Sequence, residues 1–171
     1  MDLPKRKPNR LKEYDYSQPG YYFITICTHQ MRQLFWPSQP LVGADIIRPD
    51  QPRLSKLGQI VERAIRDIPS HYAHYSVEKY VIMPNHIHLI LRISEGDGRM
   101  ISAPTKPVPI VIGQLKRTVA KQAGFSLWQK GYCDHVIRTE SVYLRVWNYI
   151  DTNPAKWSED RYYIEKEGFE T

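Results

Sequence analysis

The sequence predicts an α+β fold in which a largely antiparallel sheet is covered by helices on one face. Segments rich in β-branched and aromatic residues alternate with helical segments in the order strand, helix, two strands, helix, strand, helix. Only a Pro-Asn turn separates the two consecutive strands, and strands joined by so short a turn run antiparallel. No shift in composition divides the 171 residues, so we expect one domain over 1–171.

The boundaries of the elements follow from local signals. A strand is predicted at 21–29, and a helix from about 56 to 68 is expected to begin after Ser55 as N-cap and to stop at Pro69. The remaining predictions are strands at 75–83 and 86–93, a helix at 109–122 ending at Gly124, a strand at 132–138, and a helix at 140–152 closed by Asn153-Pro154. The segment 94–107 is predicted to be a surface loop, and the tail through 171 to be partly helical.

The charge balance favours a polyanionic partner. Lys and Arg number 24 against 18 Asp and Glu, so the net charge is +6 and the pI is about 9.3. Such a balance suits nucleic acid, because neutralised phosphates release their counterions. No apolar run is long enough for a membrane span, no secretory signal follows the basic N-terminus, and two cysteines make no disulfide framework. We therefore expect a cytoplasmic protein.

Residues 1–20 form a basic, proline-containing arm. Its cations and aromatic rings are Lys5, Arg6, Lys7, Arg10, Lys12, Tyr14 and Tyr16. Basic arms of this kind often contact nucleic acid, which is one interpretation. A flexible solubilising tail is the other, and the composition does not choose between them.

Two histidines share one face of the strand predicted at 86–93. Side chains alternate along a strand, so one face is the aliphatic set Ile87, Leu89, Leu91 and Ile93, which is expected to face the core. His86 and His88 project together from the opposite, polar face, with Cα atoms roughly 7 Å apart. Two imidazoles at this separation can converge on one metal ion. A pair of surface histidines on a half-solvated sheet is the alternative.

The last predicted helix carries Tyr149 and Asn153 one turn apart on the same face. Tyr143, Trp147 and Ile150 follow the spacing of a core stripe, so Tyr149 lies beside that stripe and can point towards a cleft. Asn153 lies at the helix C-terminus, where the carbonyl dipole favours a cation. Tyrosines also fill helix faces and Asn-Pro commonly ends helices, so these positions alone assign no function.

An ordered set of motifs resembles the Y1, or IS200-like, superfamily of HUH single-tyrosine transposases. The motifs are Pro84-Asn85-His86-Ile87-His88, Trp128-Gln129 with Tyr132, Asp134-His135-Val136-Ile137-Arg138, and Tyr149-Ile150 with Asn153-Pro154. The similarity runs from roughly Tyr14 to Trp157, most of the chain, and it is greatest to the branch of REP-associated tyrosine transposases, which act on repetitive extragenic palindromes. The resemblance implies a ferredoxin-like sandwich with a central antiparallel sheet, in agreement with the element order.

The resemblance also implies chemical roles. His86 and His88 would hold a divalent metal, Mg²⁺ or Mn²⁺, with Asn153 completing the protein ligands, and Tyr149 would be the nucleophile. The implied activity is metal-dependent nicking and strand transfer of single-stranded, hairpin or palindromic DNA through a covalent 5′-phosphotyrosine. No general base for Tyr149 is evident in the sequence, and we derive no role for His135.

DNA contacts are expected from cations and from aromatic rings. Besides the basic arm, the candidate cations are Lys116, Arg117, Lys121, Arg138 and Arg145. Unpaired bases are expected to stack on Tyr14, Tyr16 or Trp128. An ordinary solvated helix face is the alternative for any single cation.

Two other functions and the oligomeric state stay open. One alternative is a non-catalytic nucleic-acid-binding protein that retains the transposase fold. The other is a metallohydrolase built on the histidine pair, although further Asp and His ligands near the motif are missing. Insertion-sequence relatives act as homodimers that exchange the tyrosine helix, whereas members of the REP-associated branch can act as monomers.

Overall fold

The structure, a computed structural model, describes residues 14–37, 53–95 and 105–164. Its elements in chain order are β1 (Gly20–Cys27), a 3₁₀ helix (His29–Met31), α1 (Lys56–Arg66), α2 (Ile68–His71), β2 (Tyr75–Ile82), β3 (His86–Ile93), α3 (Val108–Ala123), β4 (Cys133–Ile137), α4 (Glu140–Thr152) and a second 3₁₀ helix (Pro154–Glu159). The parts of the predicted loop and tail at 96–104 and 165–171 lie outside the described residues, as do residues 1–13 of the arm. No helix in the described part of the chain has the length and apolar character to cross a membrane.

The four strands form one sheet in the order β2-β3-β1-β4. Each neighbouring pair is antiparallel, and β3 lies between β1 and β2. This is the split βαβ arrangement of a ferredoxin-like domain, repeated as β1-α1-β2 and β3-α3-β4. The predicted α+β fold with a central antiparallel sheet is therefore confirmed.

The helices lie on both faces of the sheet, which corrects the prediction that they cover one face. Helices α1 and α3 pack on the main core, which contains alternate residues of the two central strands, such as Ile24, Leu89 and Leu91. Helix α4 packs on the opposite face, where Ile150 joins Ile90 in a smaller buried cluster. The sequence analysis did not predict this smaller cluster, the second core. The face of β3 that carries the second core also carries two histidines, so in the sequence that face resembles a polar surface exposed to solvent.

Local signals explain where the helices begin and end. The Ser55 hydroxyl accepts a hydrogen bond from the Gly58 amide, as the predicted N-cap requires. Pro69 does not stop the first helix. The helix ends at Arg66, and Pro69 lies in the first turn of α2, where a missing amide hydrogen costs nothing. Gly124 ends α3 with φ of 79°, a left-handed conformation that favours glycine.

Candidate functional site

The two histidines of β3 are buried beneath α4 and the chain that follows it. His86 and His88 are 0% and 1% exposed, so they do not form the half-solvated surface pair considered as the alternative. Their Nε2 atoms are 3.0 Å apart, because alternate residues of one strand point the same way. The Nε2 atoms of both rings therefore lie together in one small region.

Neighbouring side chains contact the Nδ1 atom of each imidazole and hold the ring in place. The Asn85 amide donates through Nδ2 to the carbonyl oxygen of Tyr162, so its Oδ1 faces His86 Nδ1 at 2.8 Å. His86 Nδ1 therefore carries the proton, and its Nε2 lone pair points towards His88. The Thr25 hydroxyl lies 2.8 Å from His88 Nδ1 across the β1–β3 pair. Outer partners of this kind hold the rings of metal-binding histidines in place.

Burial keeps both histidines neutral. It lowers the pKa of His86 to about 4, although the nearby Asp160 carboxylate raises that pKa in part. Burial, together with the neighbouring His86, lowers the pKa of His88 well below its ordinary value. Neutral imidazoles are the form that binds metal, so the pair is ready to bind a cation at neutral pH.

Tyr149 on α4 reaches the histidine pair within the same chain. Its hydroxyl lies 3.2 Å from His88 Nε2 and donates a hydrogen bond to Asp160 Oδ2 at 3.1 Å. The side chain is 36% exposed, so the hydroxyl lies where a buried site meets solvent. Burial and the Asp160 carboxylate raise the pKa of Tyr149 to about 12. With these neighbours the phenol keeps its proton at neutral pH.

Asn153 lies at the end of α4 and is 3% exposed. Its Nδ2 donates to Asp160 Oδ2 at 2.6 Å, whereas its Oδ1 is buried without a hydrogen-bond partner in the structure. A buried amide oxygen left without a donor is unusual and costs free energy, unless it faces an ion or water. The residue predicted as the third metal ligand thus offers a free oxygen.

Asp160 is the residue of this site that the sequence analysis missed. One ligand atom from each of His86, His88 and Asp160 lies within 4.8 Å of the others, so this group could hold a metal ion. In the described part of the chain it is the one set of three histidine, cysteine or acidic residues close enough to do so. Asp160 follows the second 3₁₀ helix in a polar stretch without any periodic pattern, and no signal in the sequence indicated it.

The segment 160–164 borders the site beside β3. The Tyr162 ring lies 4.6 Å from the His86 ring, centroid to centroid, and the Trp157 ring lies 6.0 Å from it. The Arg161 guanidinium lies over the Tyr162 ring at 4.5 Å and donates to the Tyr162 hydroxyl. The site therefore combines two buried nitrogens, buried and half-exposed oxygens, and an exposed cation next to them.

The predicted DNA-contacting residues have varied surroundings. Lys5, Arg6, Lys7, Arg10 and Lys12 lie outside the described residues. Arg117, Lys121, Arg138 and Arg145 are exposed.

Lys116 is half-buried, and its ammonium group donates to the carbonyl oxygens of Gln129 and Gly131 at 2.7 Å each. Burial lowers the pKa of Lys116. Lys116 therefore holds the 129–131 turn against α3, and the pattern of charges alone did not reveal that role.

Two of the three predicted stacking platforms belong to the core. Tyr16 and Trp128 are 7% and 8% exposed, and the Trp128 indole donates to the carbonyl oxygen of Lys116. Their faces are covered by neighbours, so the expectation that bases stack on them is wrong for this conformation. Tyr14 is half-buried, with its ring edge-on to Tyr16 at 5.0 Å.

Comparisons with known proteins agree with the fold. No protein-family model matches the chain. An uncharacterized protein of Haemophilus influenzae is 33% identical over an alignment of 180 positions that covers 94% of each chain. A second Haemophilus influenzae protein, provisionally named a REP-associated tyrosine transposase, is 27% identical over 92 residues, covering 48% of this chain and 52% of that one. A solved REP-associated tyrosine transposase, bound to a REP hairpin, is similar in fold, with TM-score 0.59 at 19% identity over 89% of this chain and 76% of that one.

Proposed function

We propose that the chain is a member of the Y1 superfamily of single-tyrosine transposases, and that it nicks single-stranded DNA and transfers the cut strand; its similarity to REP-associated tyrosine transposases supports this proposal. The observation that carries this proposal is the 3.2 Å approach of the Tyr149 hydroxyl to His88 Nε2. A nucleophile for phosphoryl transfer must lie beside the group that polarises the phosphate. Tyr149 meets this requirement with no second subunit.

We propose that His86, His88 and Asn153 hold a divalent cation, Mg²⁺ or Mn²⁺. The donor set fits such an ion, because it combines two neutral imidazoles with a buried amide oxygen that lacks a donor. When bound, the ion would polarise the scissile phosphate and stabilise the departing 3′ oxygen. Asn85 and Thr25 support this role by holding the two rings through their Nδ1 atoms.

Tyr149 would attack the phosphorus in line with the bond to the 3′ oxygen. The bond between the tyrosine oxygen and phosphorus forms as the bond from phosphorus to the 3′ oxygen breaks. The phenol loses its proton and the 3′ oxygen gains one, which leaves a 5′-phosphotyrosine and a free 3′-hydroxyl. A 3′-hydroxyl of another strand then reverses the step, so rejoining needs no external energy source.

The proposed substrate is hairpin or palindromic DNA with an unpaired segment. The solved relative was bound to a REP hairpin, and the net charge of +6 suits a polyanion. Phosphate contacts are proposed from exposed Arg117, Lys121, Arg138 and Arg145, and from the cations and Tyr14 of the basic arm. We propose that 1–171 acts as one catalytic domain in the cytoplasm.

A covalent adduct is the direct test of this function. The chain would be incubated with a labelled single-stranded hairpin oligonucleotide and Mn²⁺, then separated on a denaturing gel. We expect a protein–DNA adduct from the wild type and none from Tyr149→Phe. Tyr143→Phe is the matched control, because Tyr143 lies on the same helix but packs against Tyr21.

The outcomes separate the proposal from its alternatives. An adduct that persists in Tyr149→Phe would remove Tyr149 from the mechanism. Hairpin binding by the wild type with no adduct under any divalent metal would favour the non-catalytic binding protein. Adduct formation by a mixture of Tyr149→Phe and His88→Ala chains, each inactive alone, would show that the tyrosine acts on the site of a partner chain.

A further inference from the structure

We infer that Asp160 is the negatively charged ligand of the divalent cation held by the histidine pair. This inference rests on the proposed metal site and adds a residue to it. Asp160 reaches the site from the segment beyond α4, at a position where the sequence analysis assigned no role. The consequence is that the C-terminal segment 160–164 forms part of the catalytic site.

The geometry brings a carboxylate oxygen to the same point as both imidazoles. A ligand atom of Asp160 lies within 4.8 Å of the ligand atoms of His86 and His88. Asp160 Oδ1 is occupied by the backbone amide of Tyr162 at 2.7 Å. Its Oδ2 faces Asn153 and Tyr149. One oxygen thus anchors the carboxylate to its own segment, and the other is presented to the site.

The segment 160–164 is itself fixed in position. The Asn85 side chain donates to the carbonyl oxygen of Tyr162, and the Gln33 side chain donates to that of Ile164, both at 2.8 Å. The Trp157 ring packs between Trp36 and Tyr163. Because Asn85 also contacts His86, a single side chain connects the segment to a histidine of the site. Contacts within the protein therefore hold the carboxylate beside the histidine pair.

The charge of the site requires such a ligand. An imidazole binds metal in its neutral form and Asn153 has no charge, so these three ligands leave a divalent ion with no negative partner in a largely buried site. A buried charge is costly unless an opposite charge accompanies it. Mg²⁺ and Mn²⁺ prefer oxygen ligands, carboxylates above all. Asp160 supplies both the charge and the oxygen.

This assignment also explains how Tyr149 becomes free to react. Its hydroxyl now lies against His88 Nε2 and Asp160 Oδ2, the two atoms assigned to the ion. The phenol donates its one proton to Asp160 Oδ2, and a cation bound to that oxygen would compete with this hydrogen bond. Tyr149 would then be released to face a phosphate, so metal binding prepares the nucleophile as well as the site.

Metal binding by the full chain, without DNA, tests the inference. Mn²⁺ affinity would be measured by calorimetric titration, and the visible spectrum of bound Co²⁺ would report the ligands. The variants are Asp160→Asn, which keeps the size of the side chain, and Asp160→Ala. Glu159→Gln is the matched control, because it removes an exposed acid one residue away. Circular dichroism checks that each variant folds.

We expect both Asp160 variants to lose roughly tenfold or more in Mn²⁺ affinity, at least the effect of removing an outer partner of a metal ligand. The spectrum of the Co²⁺-saturated protein should change in both variants, whereas Glu159→Gln should match the wild type. Wild-type affinity in both variants would overturn the inference. An unchanged Co²⁺ spectrum at saturation would overturn it too, because Asp160 would then act only through its charge. If His86→Ala also binds Mn²⁺ like the wild type, the ion lies elsewhere and the proposed function loses its metal site.

Discussion

The hydroxyl of Tyr149 lies 3.2 Å from Nε2 of His88, although 61 residues separate them in the sequence. They meet because α4 crosses the face of the sheet on which β3 displays its histidines. The main core could form without this contact, since α1 and α3 cover the other face of the sheet. The second core of Ile90, Ile137 and Ile150 thus brings Tyr149, the proposed nucleophile, to the histidine pair.

Mn²⁺ should stabilise the folded chain, and removing a histidine should abolish the effect. Binding at a hundred times the dissociation constant adds about 2.7 kcal/mol to the free energy of unfolding. For a chain of this size, that corresponds to a rise in Tm of about 5–10 °C. Scanning fluorimetry with and without Mn²⁺, followed by EDTA, measures the shift and its reversal. His86→Ala should show no rise, and His71→Ala, at an exposed histidine, should behave like the wild type. An equal rise in all three proteins would contradict binding at the β3 histidines.

The sequence predicted the strands and helices well because each depends on local patterns. Alternation marks β3, Ser55 caps α1, and Gly124 ends α3. The burial of His86 could not be predicted in the same way. It depends on Trp157 and Tyr162, which reach it from far along the chain.

The candidate site was predicted only in part, for a related reason. The resemblance led to His86, His88, Tyr149 and Asn153, which lie in recognisable motifs. Asp160 lies in an irregular segment, and its position depends on hydrogen bonds that no spacing encodes. Lys116 shows a different limit of sequence reasoning, since a cation on a helix predicted a phosphate contact, whereas its ammonium donates to two carbonyl oxygens in this structure.

The metal-free protein should lose stability as the pH falls from 6.5 to 4. The unfolded chain protonates His86 near pH 6.5, whereas burial lowers the pKa in the folded chain to about 4. Between these values the unfolded state binds more protons, so the free energy of unfolding falls with falling pH. The complete protonation of His86 lowers the free energy of unfolding by an amount on the order of 3 kcal/mol. Burial lowers the pKa of His88 as well, so its protonation acts in the same direction.

Urea unfolding in EDTA at pH 7, 5.5 and 4.5 measures this dependence. His86→Gln removes the titrating ring and should flatten the decline between pH 6.5 and 4. His71→Gln removes an exposed histidine and should leave the decline unchanged. The same slope in His86→Gln and in the wild type would show that other groups carry the pH dependence.

Asn153→Ala should weaken both the fold and metal binding. The substitution removes the 2.6 Å hydrogen bond from the side-chain amide to Asp160 and leaves that carboxylate less well oriented. Losing a hydrogen bond to a charged group costs about 1–3 kcal/mol in the free energy of unfolding. Urea unfolding and Mn²⁺ titration measure the two effects. Asn148→Ala, at an exposed asparagine of the same helix, serves as the control. Equal results for the two variants would mean that Asn153 is only a helix-ending residue.

Substitutions of Lys116 and Arg117 should have different effects on stability and on hairpin binding, although the two residues are neighbours on α3. Lys116→Met removes two hydrogen bonds to the 129–131 turn, and we expect it to lower the free energy of unfolding by about 1–2 kcal/mol. Because its ammonium is engaged in these bonds, the salt dependence of hairpin binding should not change. Arg117 is exposed, and its guanidinium donates a hydrogen bond to the Gln114 side chain at 2.7 Å.

Arg117→Met should leave stability nearly unchanged and weaken hairpin binding. If Arg117 contacts a phosphate, the slope of log affinity against log salt concentration falls by about one. Fluorescence anisotropy of a labelled hairpin over a series of salt concentrations measures this slope for both variants and for the wild type. A reduced slope for Lys116→Met together with a wild-type slope for Arg117→Met would reverse the assignment. The ammonium of Lys116 would then leave its carbonyl partners when DNA binds.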